Sequence, residues 1–123
     1  MNTERKVILI VDDSSLITDR LEEMLHDIQG IDSILKASDY DEAISIIAKH
    51  KTDILFLDIH LPGKNGIELL GFIKDNYPKI KVVMLTNEAS DYYRNICKKA
   101  GAAYFVDKSK EFELIPGIVS SLN

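Results

Sequence analysis

Residues Lys6 to Ser14 read KVILIVDDS, a short apolar run that ends in two carboxylates. Two later stretches follow the same plan: DILFL (Asp53 to Leu57) is followed by Asp58, and KVVML (Lys81 to Leu85) by Thr86. These runs are nearly continuous in apolar character and contain β-branched residues, which is typical of strands that are covered on both faces in a parallel sheet. The three stretches therefore predict the central strands of such a sheet.

Segments with helical periodicity separate the apolar runs. Two further runs, SILKA (Ser33 to Ala37) and AAYFV (Ala102 to Val106), complete a set of five predicted strands. Apolar residues recur at helical spacing in five segments: Ile17–Ile28, Ala43–Ile47, Ile67–Ile73, Tyr93–Ala100 and Phe112–Leu122. Asp39 and Asn65 are each followed by glutamate three residues later, which predicts a capping box at two helix starts. Pro116 predicts that the last helix starts late or bends.

The alternation of five strand patterns with five helix patterns predicts an α/β fold. We expect a doubly wound five-stranded parallel sheet of the flavodoxin-like (βα)5 type, with strand order 2-1-3-4-5 and right-handed crossovers. Ligands of open sheets of this kind bind beyond the carboxyl ends of the strands. The functional residues should therefore follow the strands directly.

The composition describes one ordinary domain. The 123 residues are 46% hydrophobic and 28% charged, so we expect a single domain over residues 1–123, with no output domain visible; a piece of a longer protein stays open. A net charge of -5 argues against direct nucleic-acid binding, because such domains carry a basic face. The lone Cys97 and the lack of a signal or membrane-length apolar run predict a cytoplasmic protein without a membrane contact.

Polar residues follow four of the five predicted strands. Asp12 and Asp13 follow the first, Asp58 the third, Thr86 the fourth and Lys108 the fifth. Each has an ordinary structural interpretation when taken alone. Asp13 could cap the first helix, a threonine at a strand end is usually structural, and a single lysine is usually a solvated charge. The functional interpretation depends on their meeting at one edge of the sheet.

Taken together, these residues describe a site for a phosphoryl group. Three carboxylates at one edge repel one another unless a cation lies among them, and oxygen ligands favour Mg²⁺ over Zn²⁺. A nearby ammonium and hydroxyl would neutralise and hydrogen-bond phosphoryl oxygens. A carboxylate can itself be the nucleophile, and Asp58 is the best placed because it ends the central strand before a loop that contains Pro62, Gly63 and Gly66.

With these motifs in order, the chain resembles the receiver domains of two-component response regulators. The motifs are VDDS with Asp12 and Asp13, LDIHLPGKNG with Asp58, VVMLT ending in Thr86, and GAAYFVDKS around Lys108. The likeness covers essentially the whole chain. It implies a signalling switch rather than an enzyme, which accepts a phosphoryl group onto its aspartate from a histidine kinase or a phosphotransfer protein and assists its own phosphorylation and dephosphorylation.

The resemblance implies a Mg²⁺ site in which Mn²⁺ is expected to substitute. Asp13 and Asp58 would bind the ion by their side chains, and Asp12 mostly through water. His60 would contribute its backbone carbonyl. His60 and Glu88, each two residues past a site residue, would also border the phosphoryl group and influence how long it lasts.

The resemblance also implies a switch. Lys108 would contact the phosphoryl oxygens, Thr86 would turn toward them, and the aromatic ring of Phe105 would follow that movement. The chain departs from relatives in three places. Ser109 replaces a proline that often has a cis bond, so we expect either a cis peptide or a rearranged loop. Phe105 lacks the hydroxyl of the tyrosine found in many relatives, and Asn87 replaces a small residue and could narrow access to the site.

The surface that should change on phosphorylation comprises the fourth helix, the fifth strand and the fifth helix. It would bind a protein target of unknown identity, and the domain would be a monomer or a phosphorylation-dependent dimer. Plain solvated surface, with some core packing of one tyrosine, is the open alternative for its candidate residues. These candidates are Tyr92, Tyr93, Lys98, Lys99, Tyr104 and Lys110.

Three other functions compete with this one. A receiver that serves only as a docking module, and is never phosphorylated, would keep the fold. A haloacid-dehalogenase-like phosphatase would also use an aspartate and Mg²⁺, but it needs a second aspartate where this chain has His60. A flavin-binding module of the flavodoxin type would need a phosphate-cradling loop after the first strand, where Asp12 and Asp13 would repel the phosphate.

Overall fold

The computed structural model describes residues 5–122, so residues 1–4 and 123 of the predicted domain lie outside the described part. Strands and helices alternate along the chain. The strands are β1 (Lys6–Val11), β2 (Ile31–Ala37), β3 (Ile54–Leu57), β4 (Lys81–Thr86) and β5 (Tyr104–Asp107). The helices are α1 (Ser15–His26), α2 (Tyr40–Lys49), α3 (Gly66–Asn76), α4 (Asp91–Lys99) and α5 (Ile115–Leu122), the last preceded by a 3₁₀ turn, Phe112–Leu114.

The five strands form one parallel sheet in the order β2-β1-β3-β4-β5, as predicted. Alternate residues of each strand face opposite sides of the sheet. Leu9 and Val11 of β1 belong to the core layer that α2, α3 and α4 cover. Ile8 and Ile10 belong to the layer that α1 and α5 cover. This two-sided burial explains why the central strands read as continuous apolar runs.

Capping residues begin the helices largely where the sequence predicts. The side chain of Asp39 accepts a hydrogen bond from the Glu42 N–H at 2.8 Å, and Asn65 accepts one from the Glu68 N–H at 3.0 Å. The prediction for α5 is also confirmed, because this helix begins at Ile115 and places Pro116 in its first turn, where a missing N–H costs nothing.

Several predicted boundaries differ from the structure by one or more residues, and turn chemistry explains two of them. The fifth strand begins at Tyr104 rather than Ala102, because the Ala102 N–H donates to the Cys97 carbonyl at 3.0 Å and thereby closes α4. The first helix ends at His26 rather than Ile28, whose N–H turns back to the Leu25 carbonyl at 3.1 Å.

Within residues 5–122, no helix combines the length and the apolar character that a membrane crossing requires.

Candidate functional site

Three carboxylates meet at the carboxyl ends of β1 and β3. These strands are adjacent, and the Asp58 N–H donates to the Val11 carbonyl at 3.1 Å. One carboxylate oxygen from each of Asp12, Asp13 and Asp58 lies within 4.8 Å of the others. Asp12 and Asp58 are buried, whereas Asp13 is exposed. The sheet order thus brings together residues that are 46 positions apart in the sequence, Asp12 and Asp58.

Lys108 lies against two of these carboxylates. Its Nζ atom is 2.6 Å from Asp12 Oδ2 and 2.9 Å from Asp58 Oδ2, and its side chain is only 6% exposed. Burial by itself lowers the pKa of Lys108, but the contacts with both carboxylates outweigh it and raise the pKa above its ordinary value. The ammonium therefore stays charged and offsets part of the local negative charge.

Asp12 keeps an oxygen that is suited to a further cation. Burial raises the pKa of Asp12, against the lowering effects of Lys108 and of the Ser14 N–H, which donates to Oδ1 at 2.9 Å. Its Oδ2 atom is buried and has no partner with hydrogen-bond geometry among the described residues, although the Lys108 ammonium is close. A set of oxygen donors with this spare capacity fits Mg²⁺.

Backbone contacts hold Asp58 at the start of its loop. The His60 N–H donates to Asp58 Oδ1 at 3.3 Å, and the Gly66 N–H donates to the Ile59 carbonyl at 2.7 Å. Gly66 starts α3 directly against the Asp58 backbone, so a Cβ atom there would collide with the Asp58 carbonyl oxygen. The glycine is needed for this close approach, in addition to its predicted part in the turn.

Thr86 is the buried end of the neighbouring strand. Its hydroxyl oxygen accepts a hydrogen bond from the Glu88 N–H at 3.1 Å, and its carbonyl accepts one from the Lys108 N–H at 3.0 Å. A cavity of about 340 Å³ opens between these residues and the acidic cluster. Its lining comprises Asp12, Asp13, Ser14, Ile17, Asp58, His60, Thr86, Asn87 and Lys108. All predicted site residues except Phe105 and Glu88 therefore border one cavity.

A larger cavity, of about 730 Å³, lies at the amino ends of β3 and β4. It is lined by the ends of α2 and α3 and by the loops that lead from them into these strands, from Ile47 to Asp53 and from Asn76 to Ile80. None of the clustered carboxylates borders it. The chemistry described above therefore belongs to the smaller cavity.

His60 and Glu88 form the outer rim of the site. Their side chains are more than half exposed, and His60 Nε2 lies 3.7 Å from Glu88 Oε1. The His60 ring also meets the Tyr93 ring edge-on, with 6.4 Å between the centroids. The rim therefore connects the loop after β3 with the start of α4.

The loop after Lys108 does not contain the cis peptide that was one of the two outcomes predicted for Ser109. None of the peptide bonds in residues 5–122 is cis. The N–H and the hydroxyl of Ser109 both donate to Asp107 Oδ1, at 2.8 and 2.7 Å. These hydrogen bonds lower the pKa of Asp107. Serine thus supplies two donors where proline would supply none.

Phe105 and Tyr104 face opposite sides of β5, as predicted. Phe105 is half-buried against the core layer under α4, while the exposed Tyr104 hydroxyl lies 3.2 Å from Ser121 Oγ on α5. Tyr93 also packs against the core, in agreement with the structural interpretation offered for it, whereas Tyr92 is 68% exposed.

Two features near the site do not follow from the sequence patterns. Ser14, not Asp13, caps α1, since its hydroxyl accepts from the Ile17 N–H. The run of two aspartates and two serines offers several possible caps, so local sequence does not choose among them. The second feature is Arg94, which lies over the Phe105 ring and pairs with Glu111; its position in the helix gives no sign of either contact.

Fold and site together define a class: parallel α/β domains with a buried aspartate, a carboxylate cluster for a cation and a lysine at one sheet edge. The family model for the response regulator receiver domain matches residues 8–119. The chain belongs to this family. Its members are signalling domains of two-component systems that act through phosphorylation, and Mg²⁺ binding at an acidic pocket is typical of them.

Individual relatives agree with this assignment. Response regulator GacA from Pseudomonas aeruginosa is 29% identical over 106 residues, 86% of this chain and 50% of that protein. Transcriptional regulatory protein MalR from Bacillus subtilis is 32% identical over 109 residues, 86% of this chain and 45% of that protein. The chain spans about half the length of these curated relatives.

Solved structures share the fold closely. A CheY-like receiver domain protein from Methanospirillum hungatei JF-1 is similar with a TM-score of 0.85 and 29% identity, covering 97% of this chain and 94% of that one. The isolated REC domain of RcsB from Salmonella enterica serovar Typhimurium, studied with the phosphomimetic BeF3-, has a TM-score of 0.91 at 20% identity. The match covers 97% of this chain and 88% of that one. At that identity, the second likeness concerns the fold alone.

Proposed function

We propose that this receiver domain accepts a phosphoryl group on Asp58, from a phosphohistidine of a histidine kinase or phosphotransfer protein. The observation that carries the proposal is the buried Asp58 carboxylate, which lies 2.9 Å from the Lys108 ammonium and within 4.8 Å of the Asp12 and Asp13 oxygens. An Asp58 oxygen would bond to phosphorus as the bond between phosphorus and the donor nitrogen breaks. The product is an aspartyl phosphate, and the donor imidazole leaves.

Mg²⁺ is the cation that the carboxylates would hold, with Mn²⁺ as a substitute. Asp13 and Asp58 would bind it by their side chains, Asp12 mainly through water, and His60 by its backbone carbonyl. When bound, the ion neutralises charge that develops on the phosphoryl oxygens. Lys108 supplies a second positive charge, and its ion pairs with Asp12 and Asp58 already hold the ammonium beside the phosphoacceptor.

The signal would leave the site through Thr86 and Phe105. Thr86 now accepts a hydrogen bond from the Glu88 N–H, so its hydroxyl proton is available to a phosphoryl oxygen. A turn of Thr86 toward that oxygen would let Phe105 move on the adjacent strand. The face formed by α4, β5 and α5 would then bind a protein target, as a monomer or as a phosphorylation-dependent dimer.

His60 and Glu88 would set the lifetime of the aspartyl phosphate. Both lie at the rim, 3.7 Å apart, where they border the path by which water would reach the phosphorus. Timing the loss of phosphate after substitution of either residue tests this role. Unchanged lifetimes in both variants would count against it.

Labelling with acetyl phosphate and Mg²⁺, followed by intact-mass measurement, tests the central claim. In this reaction acetate leaves as Asp58 gains the phosphoryl group. The wild type should gain one phosphoryl mass, Asp58→Asn should gain none, and the exposed control Asp75→Asn should label like the wild type. A chelator should abolish labelling. Equal labelling of wild type and Asp58→Asn refutes the assignment, and no labelling of either favours a pure docking module.

A further inference from the structure

Arg94 makes three contacts that cross from α4 to the end of the sheet. Its guanidinium carbon lies 4.9 Å from the centre of the Phe105 ring, and its Nη1 donates to the Phe105 carbonyl at 3.5 Å. Its Nη2 lies 2.9 Å from Glu111 Oε1. Both charged side chains are about two-thirds buried, with 35% and 33% exposed. Arg94 thus contacts both the ring and the backbone carbonyl of Phe105, the aromatic residue of the proposed switch.

Glu111 continues this connection to the site. The same Oε1 atom accepts a hydrogen bond from the Asp107 N–H at 3.0 Å, and the Glu111 N–H donates to the Asp107 carbonyl at 2.9 Å. Asp107 pairs with Thr86 in the sheet, and the next residue, Lys108, reaches Asp58. Arg94 lowers the pKa of Glu111, so the carboxylate stays ionised. A continuous set of contacts therefore joins α4 to the phosphoacceptor.

The ion pair joins two parts of the structure that the switch would move relative to each other: Arg94 belongs to α4, and Glu111 is hydrogen-bonded to the end of β5. Arg94 lies in the first turn of α4, and its N–H bonds to Ser90 in the short segment that follows β4. That segment also holds the Thr86 hydroxyl through the Glu88 N–H. If Thr86 turns toward a phosphoryl group, this hydrogen bond breaks and the segment is free to move with the start of α4. Glu111, by contrast, is fixed to β5.

We propose that Arg94 and Glu111 are positioning residues that hold Phe105 and the Lys108 loop in the unphosphorylated arrangement, so that their ion pair opposes phosphorylation of Asp58. This inference rests on the proposed function. It goes beyond that function by assigning to these two residues a brake, that is, an ion pair that slows phosphorylation of Asp58. A partially exposed ion pair and a cation–π contact each change an equilibrium by about two- to fivefold. Removing the pair should therefore speed labelling about fivefold.

The test measures the rate of labelling by acetyl phosphate at saturating Mg²⁺. Arg94→Gln should label about fivefold faster than wild type, and Glu111→Gln should also label faster but by less, because Arg94 still lies over Phe105 in that variant. The double variant should be no faster than Arg94→Gln. Arg94→Lys keeps the charge but loses the planar guanidinium that lies over Phe105, so its labelling rate should fall between those of wild type and Arg94→Gln. Lys79→Gln is the control, since it removes an equal charge at the opposite end of the sheet, from an exposed side chain without an ion pair among residues 5–122.

Amide hydrogen exchange at Asp107 gives a second readout that does not need phosphorylation. Arg94→Gln should speed exchange of this amide severalfold, because Glu111 loses the partner that orients it, while the amide of Leu55 in the central strand should be unchanged. Additive effects in the double variant, faster labelling of Lys79→Gln, or unchanged exchange at Asp107 would each overturn the proposal. If the wild type itself fails to label, the proposed function fails, and with it the brake, even where the exchange result matches.

Discussion

Lys108 is the only cation within ion-pair distance of two buried carboxylates among residues 5–122, so its removal gives the sharpest test of the site's electrostatics. Lys108→Met keeps most of the side-chain volume and removes the charge. Asp12 and Asp58 then lie close together, buried to 5% and 7% exposure, without their ammonium partner. We expect the free energy of unfolding to fall strongly in the absence of divalent cations.

The distances set the size of the effect. At an effective dielectric constant of about 20, unit charges at these two separations attract by roughly 6 kcal/mol per contact. Burial of three charges and repulsion between the carboxylates offset much of this gain. Breaking a buried pair by removing one partner typically costs about 3–5 kcal/mol, whereas an exposed pair is worth about 0–1 kcal/mol. We therefore expect a loss of about 3 kcal/mol, or roughly 10 °C in Tm for a domain of this size.

Mg²⁺ should restore part of this stability. Without the ammonium, the oxygens of Asp12 and Asp58 have no competing cation, so the variant should bind Mg²⁺ more tightly than wild type does. A ligand at about 100 times its Kd stabilises the folded state by about 2.7 kcal/mol. The stabilisation at a fixed Mg²⁺ concentration should thus be larger in the variant.

Urea unfolding with chelator and with Mg²⁺ measures both effects. Lys79→Met, at an exposed lysine on the opposite end of the sheet, is the control and should change stability by less than about 0.5 kcal/mol. A loss below about 1 kcal/mol for Lys108→Met would show that its ion pairs behave as surface pairs. An equal gain from Mg²⁺ in variant and wild type would refute the idea that ammonium and ion share the same oxygens.

Two further predictions concern the backbone and the pH dependence. Gly66→Ala should lower the free energy of unfolding by about 1–3 kcal/mol, because its Cβ would meet the Asp58 carbonyl. Gly71→Ala, at an open position inside α3, should raise it by about 0.5–1 kcal/mol; equal effects in urea unfolding would contradict this contrast. Asp12 has a raised pKa in the folded state, so above its ordinary value of 3.8 the folded protein binds more protons than the unfolded one, and stability falls as pH rises. Asp12→Asn lacks this titrating group. In metal-free urea unfolding, the free energy of unfolding of the variant relative to wild type should therefore increase from pH 4 to pH 7, and a difference that does not change with pH would contradict the prediction.

Much of the fold was predictable because its signals are local. The apolar run before Asp12, the periodicity of the helices and the capping residue Asp39 each act within a few neighbours along the chain. The strand order then follows from the limited ways in which five such units can pack. The boundaries failed where turn hydrogen bonds compete with periodicity, as at Ala102 and Ile28.

The sequence by itself determined which residues would meet at the carboxyl edge, since each directly follows a strand. Only the tertiary structure decided how they differ: Asp12 is buried and paired with Lys108, whereas its neighbour Asp13 is exposed. It also decided that Arg94 reaches Glu111 and Phe105. The physical reason is that burial and ion pairing depend on the register of distant segments, such as β5 beside β4, which no local pattern encodes.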